Sequence, residues 1–61
     1  MKRYMLKMMN EQGACAHTAH DTKTEVREEI RSWADPQHMI ATVTDYKAGG
    51  IIYEGSPLSF R

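Results

Sequence analysis

Apolar residues recur at helical spacing in one part of the chain, residues 22–34. The stripe follows positions i, i+4, i+7 and i+8 and consists of Val26, Ile30, Trp33 and Ala34. Thr22 and Glu25 have the spacing of a capping box, in which the side chain of each residue accepts the backbone N–H of the other. Pro36 has no N–H and disfavours helix in the residue before it. The pattern therefore predicts an amphipathic helix over residues 22–34.

Alternating residues before this helix predict strand structure. In residues 3–9 the alternation directs three side chains, Tyr4, Leu6 and Met8, towards one face. Residues 14–20 are compatible with a strand, an extended loop or an N-terminal extension of the helix, because alanine favours helix. Asp21 and Thr22 suit a helix start better than a helix interior, so a weak strand or an extended loop is the preferred interpretation.

The segment after the helix predicts a β-hairpin. Residues 38–46 alternate and are rich in β-branched side chains, as strands are. Gly49 and Gly50 provide a turn into a second strand, residues 50–54, in which Ile51 and Tyr53 should share one face and Ile52 and Glu54 the other. Residues 55–61 are expected to form an extended tail that lies against the fold.

These elements define an α+β fold in a single domain, residues 1–61. One amphipathic helix packs on a three- to four-stranded antiparallel sheet, in the order β(β)αββ. One short helix covers only one face of such a sheet, yet apolar residues occur on both faces of nearly every strand. The second face carries Met5, Met9, Ile40, Tyr46 and Ile52. Together with Tyr53, a candidate for an exposed contact near the hairpin, these residues form the predicted interaction surface. We therefore expect a homo-oligomer, with a homodimer as its simplest form.

Composition and charge narrow the classes of partner. Eight basic residues balance eight acidic ones, so no excess of positive charge exists to bind DNA or RNA through phosphate neutralisation. No apolar run is long enough to span a membrane, and Lys7 interrupts the apolar N-terminal stretch before a signal peptide is formed. The single cysteine excludes an internal disulfide and favours a cytoplasmic location.

Cys15, His17 and His20 are the best candidates for metal ligands. Cysteine and imidazole are good zinc ligands, and on a strand Cys15 and His17 would project to the same side. Their spacing matches no standard zinc module, so the preferred interpretation is a small buried cysteine beside surface histidines, with no metal and no cofactor. Asp45 and Glu54, on either side of the hairpin turn, are interpreted as solvated carboxylates.

In size and element order the chain resembles the small tautomerases of the oxalocrotonate type. The resemblance implies an enzyme whose catalytic base is a proline directly after the initiator methionine. That position is Lys2 here, and the arginines of the family have no position-by-position match. We therefore expect a protein that is not an enzyme and has no catalytic residues.

Two functions remain. The preferred one is a non-enzymatic interaction protein, a homo-oligomer that binds or inhibits another macromolecule through an unidentified protein partner. By analogy of size and architecture alone, such proteins occur among accessory and anti-defence proteins of phages and mobile elements. The alternative is a protein that binds or sequesters a nucleotide or metal with the region of Cys15, His17 and His20.

Overall fold

The chain forms four strands and one helix in the computed structural model, which describes residues 2–61. The elements are β1 (Tyr4–Met9), β2 (Cys15–His20), α1 (Lys23–Arg31), β3 (Ile40–Asp45) and β4 (Gly50–Gly55). Within residues 2–61 no helix is both long enough and apolar enough to cross a membrane.

The four strands form one antiparallel sheet in the spatial order β2-β1-β3-β4. The first strand of the chain is therefore central, and Tyr4 has His20 of β2 on one side and Asp45 of β3 on the other. The helix α1 connects β2 to β3 and packs against β1 and β2. The predicted α+β class, with one helix on an antiparallel sheet, is confirmed.

The core lies between α1 and one face of the sheet. Its buried apolar residues are Tyr4, Leu6, Met8, Val26, Ile30, Ala41, Val43 and Phe60. The three alternate residues of β1 that the sequence assigned to the core are 5%, 0% and 1% exposed in chain order, so that assignment is confirmed. Burying a side chain of this size contributes about 1.5–3 kcal/mol to stability.

The capping box at the start of α1 is present as predicted. The Glu25 N–H donates to Thr22 Oγ1 at 3.2 Å, and Glu25 Oε1 accepts from the backbone N–H groups of Thr22 at 3.3 Å and Asp21 at 2.8 Å. These bonds satisfy donors that the first turn of a helix leaves without partners. Val26 and Ile30, one turn apart, then face the core.

The helix ends at Arg31, three residues before the predicted end. Ser32 Oγ donates to the carbonyl oxygen three residues earlier, and the Trp33 N–H likewise donates to a carbonyl three residues before it. A serine hydroxyl that bonds back to the preceding turn competes with continuation of the helix. Trp33 therefore packs against the core from a turn, whereas Ala34 is exposed and its assignment to the buried stripe is wrong.

Residues 14–20 contribute a strand, β2, and not an extension of the helix. A tight turn produces the pairing with β1: Asn10 Oδ1 accepts the Ala14 N–H at 2.9 Å, and the Gly13 N–H donates to the Asn10 carbonyl at 3.0 Å. Gly13 has a φ of 87°, a left-handed conformation that glycine adopts without strain. The hydrogen bonds of Asn10 and the left-handed conformation of Gly13 therefore favour a hairpin more strongly than the three alanines that follow favour a helix.

Two short 3-10 turns shorten the predicted extended segments. Pro36–His38 forms the first turn, so β3 begins at Ile40 and not at residue 38. Pro57–Ser59 forms the second turn within residues 55–61, which are therefore not extended throughout. Proline suits the first position of each turn because its φ is fixed near the required value. The tail does lie against the fold, since Phe60 is buried.

Candidate functional site

The face of the sheet that points away from α1 is exposed to solvent, and we call it the open face. Its residues alternate along each strand with those that face the helix. They are Met5, Lys7, Met9, Cys15, His17, Ala19, Ile40, Thr42, Thr44, Ile51 and Glu54. Ile40 and Ile51 are 46% and 63% exposed, in contrast with the buried positions on the helix side.

Strand register arranges the open face in three rows across the sheet. The central row is His17, Lys7, Thr42 and Glu54. The outer rows are Cys15, Met9 and Ile40 at one end, and Ala19, Met5, Thr44 and Ile51 at the other. The Thr42 hydroxyl donates to Glu54 Oε2 at 3.3 Å, which holds the carboxylate over this face. The open face thus has largely apolar ends and a polar central row with opposite charges on its two sides.

Four of the six predicted surface residues come together at the open face. Met5, Met9 and Ile40 belong to its outer rows. Tyr46 directly follows β3, and its hydroxyl lies 3.7 Å from Met5 Sδ, so its side chain stands beside the face. Tyr46 is 48% exposed and adds an aromatic side chain to the apolar end formed by Met5.

A β-bulge changes the arrangement of the other two predicted residues. Val43 pairs with Tyr53 and the next residue, Thr44, pairs with Ile51, so Ile52 is left as an extra residue in β4. Alternation restarts after an extra residue. Ile51 and Tyr53 therefore lie on opposite faces, and the prediction that they share one is wrong. Ile52 itself is exposed, at 39%.

Tyr53 belongs to the helix side of the sheet, so its assignment to the interaction surface is corrected. Its ring meets the Phe60 ring edge-on with centroids 5.3 Å apart, and its hydroxyl donates to the Ser56 carbonyl. The aromatic side chain thus anchors the tail to the core. Ile51, and not Tyr53, is the residue of β4 that lies on the open face, beside Thr44.

The candidate metal ligands do not converge. Cys15 and His17 are exposed on the open face, whereas His20 pairs with Tyr4 and lies on the helix side. His20 Nε2 is 2.7 Å from Thr18 Oγ1, so that ring nitrogen already has a polar neighbour. Within residues 2–61 no three His, Cys, Asp or Glu side chains are placed to hold a metal ion together.

We expect chelation to leave the fold unchanged. A structural zinc would contribute folding free energy directly, on the order of 10–16 kcal/mol in zinc-finger peptides, so its removal would unfold the chain. The measurement is the far-ultraviolet circular dichroism spectrum and melting temperature before and after EDTA, and again after added zinc. If EDTA abolishes the spectrum of the folded protein and zinc restores it, Cys15, His17 and His20 do form a metal site.

An ion pair with a buried carboxylate lies at the end of the sheet where β1 begins. Arg3 Nε and Nη2 donate to the two carboxylate oxygens of Asp45, each at 2.9 Å, and the Lys47 N–H also donates to that carboxylate at 2.9 Å. The Asp45 side chain is 5% exposed and that of Arg3 is 44% exposed. The Arg3 hydrogen bond lowers the pKa of Asp45 from 3.8 to about 2, against the opposing effect of burial. The interpretation of Asp45 as a solvated carboxylate is therefore wrong, and Glu54 lies on the other face.

A surface groove of about 340 Å³ lies at the other end of the sheet, beside Trp33 and Met39. His38 Nδ1 and Asp35 Oδ2 are 2.8 Å apart there, and this contact raises the pKa of His38. The Trp33 indole N–H is buried without a hydrogen-bond partner among residues 2–61. Because Asp35 is already paired with His38, the groove does not direct free charged groups at one point.

Comparison with known proteins found no relative of this chain. No protein-family model matches it, and neither do any curated proteins or solved structures. The function is therefore argued from the chain's own surfaces.

Proposed function

We propose that the protein is a non-enzymatic interaction protein of the cytoplasm whose open face binds a second copy of the chain. The observation that carries the proposal is the apolar content of that face, where Met5, Met9, Ile40 and Ile51 meet solvent together. Large apolar side chains exposed this close together on one face are typical of interaction surfaces. Binding or inhibition of a further macromolecule by the resulting homodimer stays a prediction.

The register of the open face supports self-pairing about a two-fold axis. An axis parallel to the strands, between β1 and β3, brings β1 of one copy over β3 of the other and β2 over β4. Met9 then faces Ile40 of the other copy, and Ala19 faces Ile51. Apolar rows thus meet apolar rows at both ends of the interface.

Charge complementarity in the central row supports the same arrangement. The strand pairing that aligns the apolar ends also brings Glu54 of one copy over His17 and next to Lys7 of the other. The two-fold axis repeats each contact, so the interface contains two Lys7–Glu54 pairs. A net charge of zero means that no overall repulsion opposes association.

The size of the open face predicts a weak dimer. Four strands about 4.8 Å apart and six residues long, at roughly 3.3 Å per residue, give a face of about 19 Å by 20 Å. Covering this face therefore buries only a small part of the chain's accessible surface, which is 4059 Å². Interfaces below about 1,200 Å² in total are typical of weak and transient complexes. The dimer should therefore dissociate on dilution.

The homodimer is tested by multi-angle light scattering over a concentration series. We expect the mass to rise from 7.0 kDa towards twice that value as concentration increases. A mass that stays at 7.0 kDa up to about 1 mM, beyond the range in which most weak complexes form, would overturn the proposal.

Ile40→Asp is expected to abolish association, because it puts a carboxylate into an apolar contact. The matched control is Leu58→Asp, since Leu58 is also an exposed apolar residue, at 59%, but lies on the helix side. Circular dichroism checks that both variants fold. An Ile40→Asp protein that folds and still dimerises would indicate pairing through a sheet edge and would overturn the open-face assignment.

A charge swap tests the register of the two-fold arrangement. Lys7→Glu alone should weaken the dimer, because it places two carboxylates side by side across the interface. The double variant Lys7→Glu/Glu54→Lys should recover most of the lost affinity. Failure of the second substitution to rescue the first would contradict the proposed axis.

A further inference from the structure

Three arginines line one groove on the helix side of the molecule. Arg27 and Arg31 come from α1 and Arg61 from the tail, and Leu58 and Phe60 complete the lining. The groove has a volume of about 310 Å³, and we call it the arginine groove. Two of these arginines are four residues apart on α1, and the third is the last residue of the tail.

The floor of the arginine groove is apolar. A smaller recess of about 50 Å³ lies between the same two helix arginines and is lined by Ile30 and Pro57. Ile30 is 2% exposed and Phe60 is 6% exposed, so both are held in place by the core. The groove thus combines a fixed apolar base with a cationic rim.

The positive charge of this rim is not neutralised by the described chain. Among residues 2–61, no carboxylate forms an ion pair with Arg27, Arg31 or Arg61. Arg27 Nη2 donates to Thr24 Oγ1 at 3.1 Å, a neutral partner that orients the guanidinium and leaves its charge uncompensated. Three of the eight basic residues of the chain thus line one groove.

The spacing of Arg27 and Arg31 on α1 slightly destabilises the helix. Like charges four residues apart on a helix repel one another. A bound dianion would remove that repulsion and accept several charge-assisted hydrogen bonds at once. The planar fork of donors on each guanidinium matches phosphate oxygens in particular.

We propose that the arginine groove binds a small organic phosphate monoester. The phosphate lies between the guanidinium groups of Arg27, Arg31 and Arg61, and the organic part lies against Leu58 and Phe60. Leu58 is 59% exposed, so an apolar contact surface is available without rearrangement. A volume near 310 Å³ is at the lower end of the range for small-ligand sites, which suits a ligand no larger than a mononucleotide.

The site is independent of the proposed homodimer. The arginine groove lies on the helix side, whereas the open face is on the other side of the sheet. A dimer formed through the open face would keep both grooves accessible. Loss of dimerisation and loss of phosphate binding are therefore separate results.

The test is a titration of the full chain followed by ¹H–¹⁵N NMR and calorimetry. The probes are adenosine monophosphate, inorganic phosphate and adenosine. We expect adenosine monophosphate to bind more tightly than inorganic phosphate and to shift the amide signals of Arg27, Arg31 and Leu58. Adenosine should not bind, because it lacks the charge. Added salt should weaken binding, since exposed charges are screened.

The decisive variant is Arg27→Gln/Arg31→Gln, which should bind adenosine monophosphate at least about tenfold more weakly. The matched control is Lys23→Gln/Lys47→Gln, which removes the same charge from exposed positions outside the groove and should retain affinity within about twofold.

Equal binding of adenosine and adenosine monophosphate would overturn the proposal, and so would equal losses of affinity in the two double variants. The absence of any binding of adenosine monophosphate at about 10 mM, a weak limit for a small ligand, would overturn it as well. Inorganic phosphate that binds as tightly as adenosine monophosphate would overturn the role given to Leu58 and Phe60. Circular dichroism of each variant checks that a loss of binding is not a loss of fold.

Discussion

Ile30→Ala is expected to lower the free energy of unfolding by about 2–5 kcal/mol, the usual effect of truncating a fully buried aliphatic side chain. Ile30 is 2% exposed and lies in the core formed by α1 and the sheet. A chain of 61 residues is near the lower size limit for a stable single core, so this loss should unfold much of the population at room temperature.

The measurement is the melting temperature at one fixed protein concentration, because the stability of a protein that dimerises depends on its concentration. At this chain length each kcal/mol corresponds to roughly 4–8 °C. Leu58→Ala is the matched control: it removes the same number of carbon atoms from a side chain that is 59% exposed, so its melting temperature should change little. If Ile30→Ala and the control melt at the same temperature, the packing of α1 on the sheet does not stabilise the fold as we expect.

The helix start and the first strand could be predicted because their signals are local. The capping box needs only Thr22 and Glu25 at the correct spacing, and the structure contains its hydrogen bonds. The core side of β1 follows from alternation alone. The end of α1 was not predictable in this way, because the hydroxyl of Ser32 bonds to the preceding turn and ends the helix before Pro36.

The arrangement of the strands depends on contacts between distant residues. Nothing in β1 or β3 alone indicates that these two strands pair in the centre of the sheet. The bulge at Ile52 is equally hidden, because a one-residue irregularity leaves the pattern of apolar residues in β4 almost unchanged. This irregularity explains why Ile51 and Tyr53 do not share a face, although the hairpin itself is predicted correctly.

The open face can be predicted from the sequence, whereas the arginine groove cannot. The open face follows from apolar residues on the second side of the predicted strands, such as Met5 and Ile40. The arginine groove needs the tail to fold back, and no local pattern predicts that Arg61 reaches the helix. Arg27 and Arg31 at i and i+4 were the only signal in the sequence, and two such residues on a helix are usually solvated.

The sheet therefore separates two chemically different sides. The open face offers apolar rows and a pair of opposite charges, which suit a second copy of the same surface. The helix side offers three arginines around a rigid apolar floor, which suit a small anion. Because the two surfaces share no residue and lie on opposite sides of the sheet, a substitution in one can be tested without changing the chemistry of the other.

Asp45→Asn is expected to lower the melting temperature at neutral pH and to flatten its dependence on pH in acid. The Arg3 hydrogen bond lowers the pKa of Asp45 from 3.8 to about 2, so the folded state favours the charged carboxylate more than the unfolded state does. The stability contributed by this pair is therefore fully present above pH 3.8 and is lost as the pH falls towards about 2.

The comparison is the melting temperature measured from neutral pH down to about pH 2, across the interval in which Asp45 gains its proton. Asp45 is the one buried carboxylate among residues 2–61, so its replacement should remove more of the acid sensitivity than any exposed carboxylate would. Asp21→Asn is the matched control, because Asp21 pairs with Lys2 at 3.3 Å but is 61% exposed, and exposed ion pairs contribute little. The control should keep the acid transition of the unmodified chain. If Asp45→Asn keeps that transition too, the acid sensitivity arises elsewhere and the Arg3–Asp45 pair does not stabilise this end of the sheet.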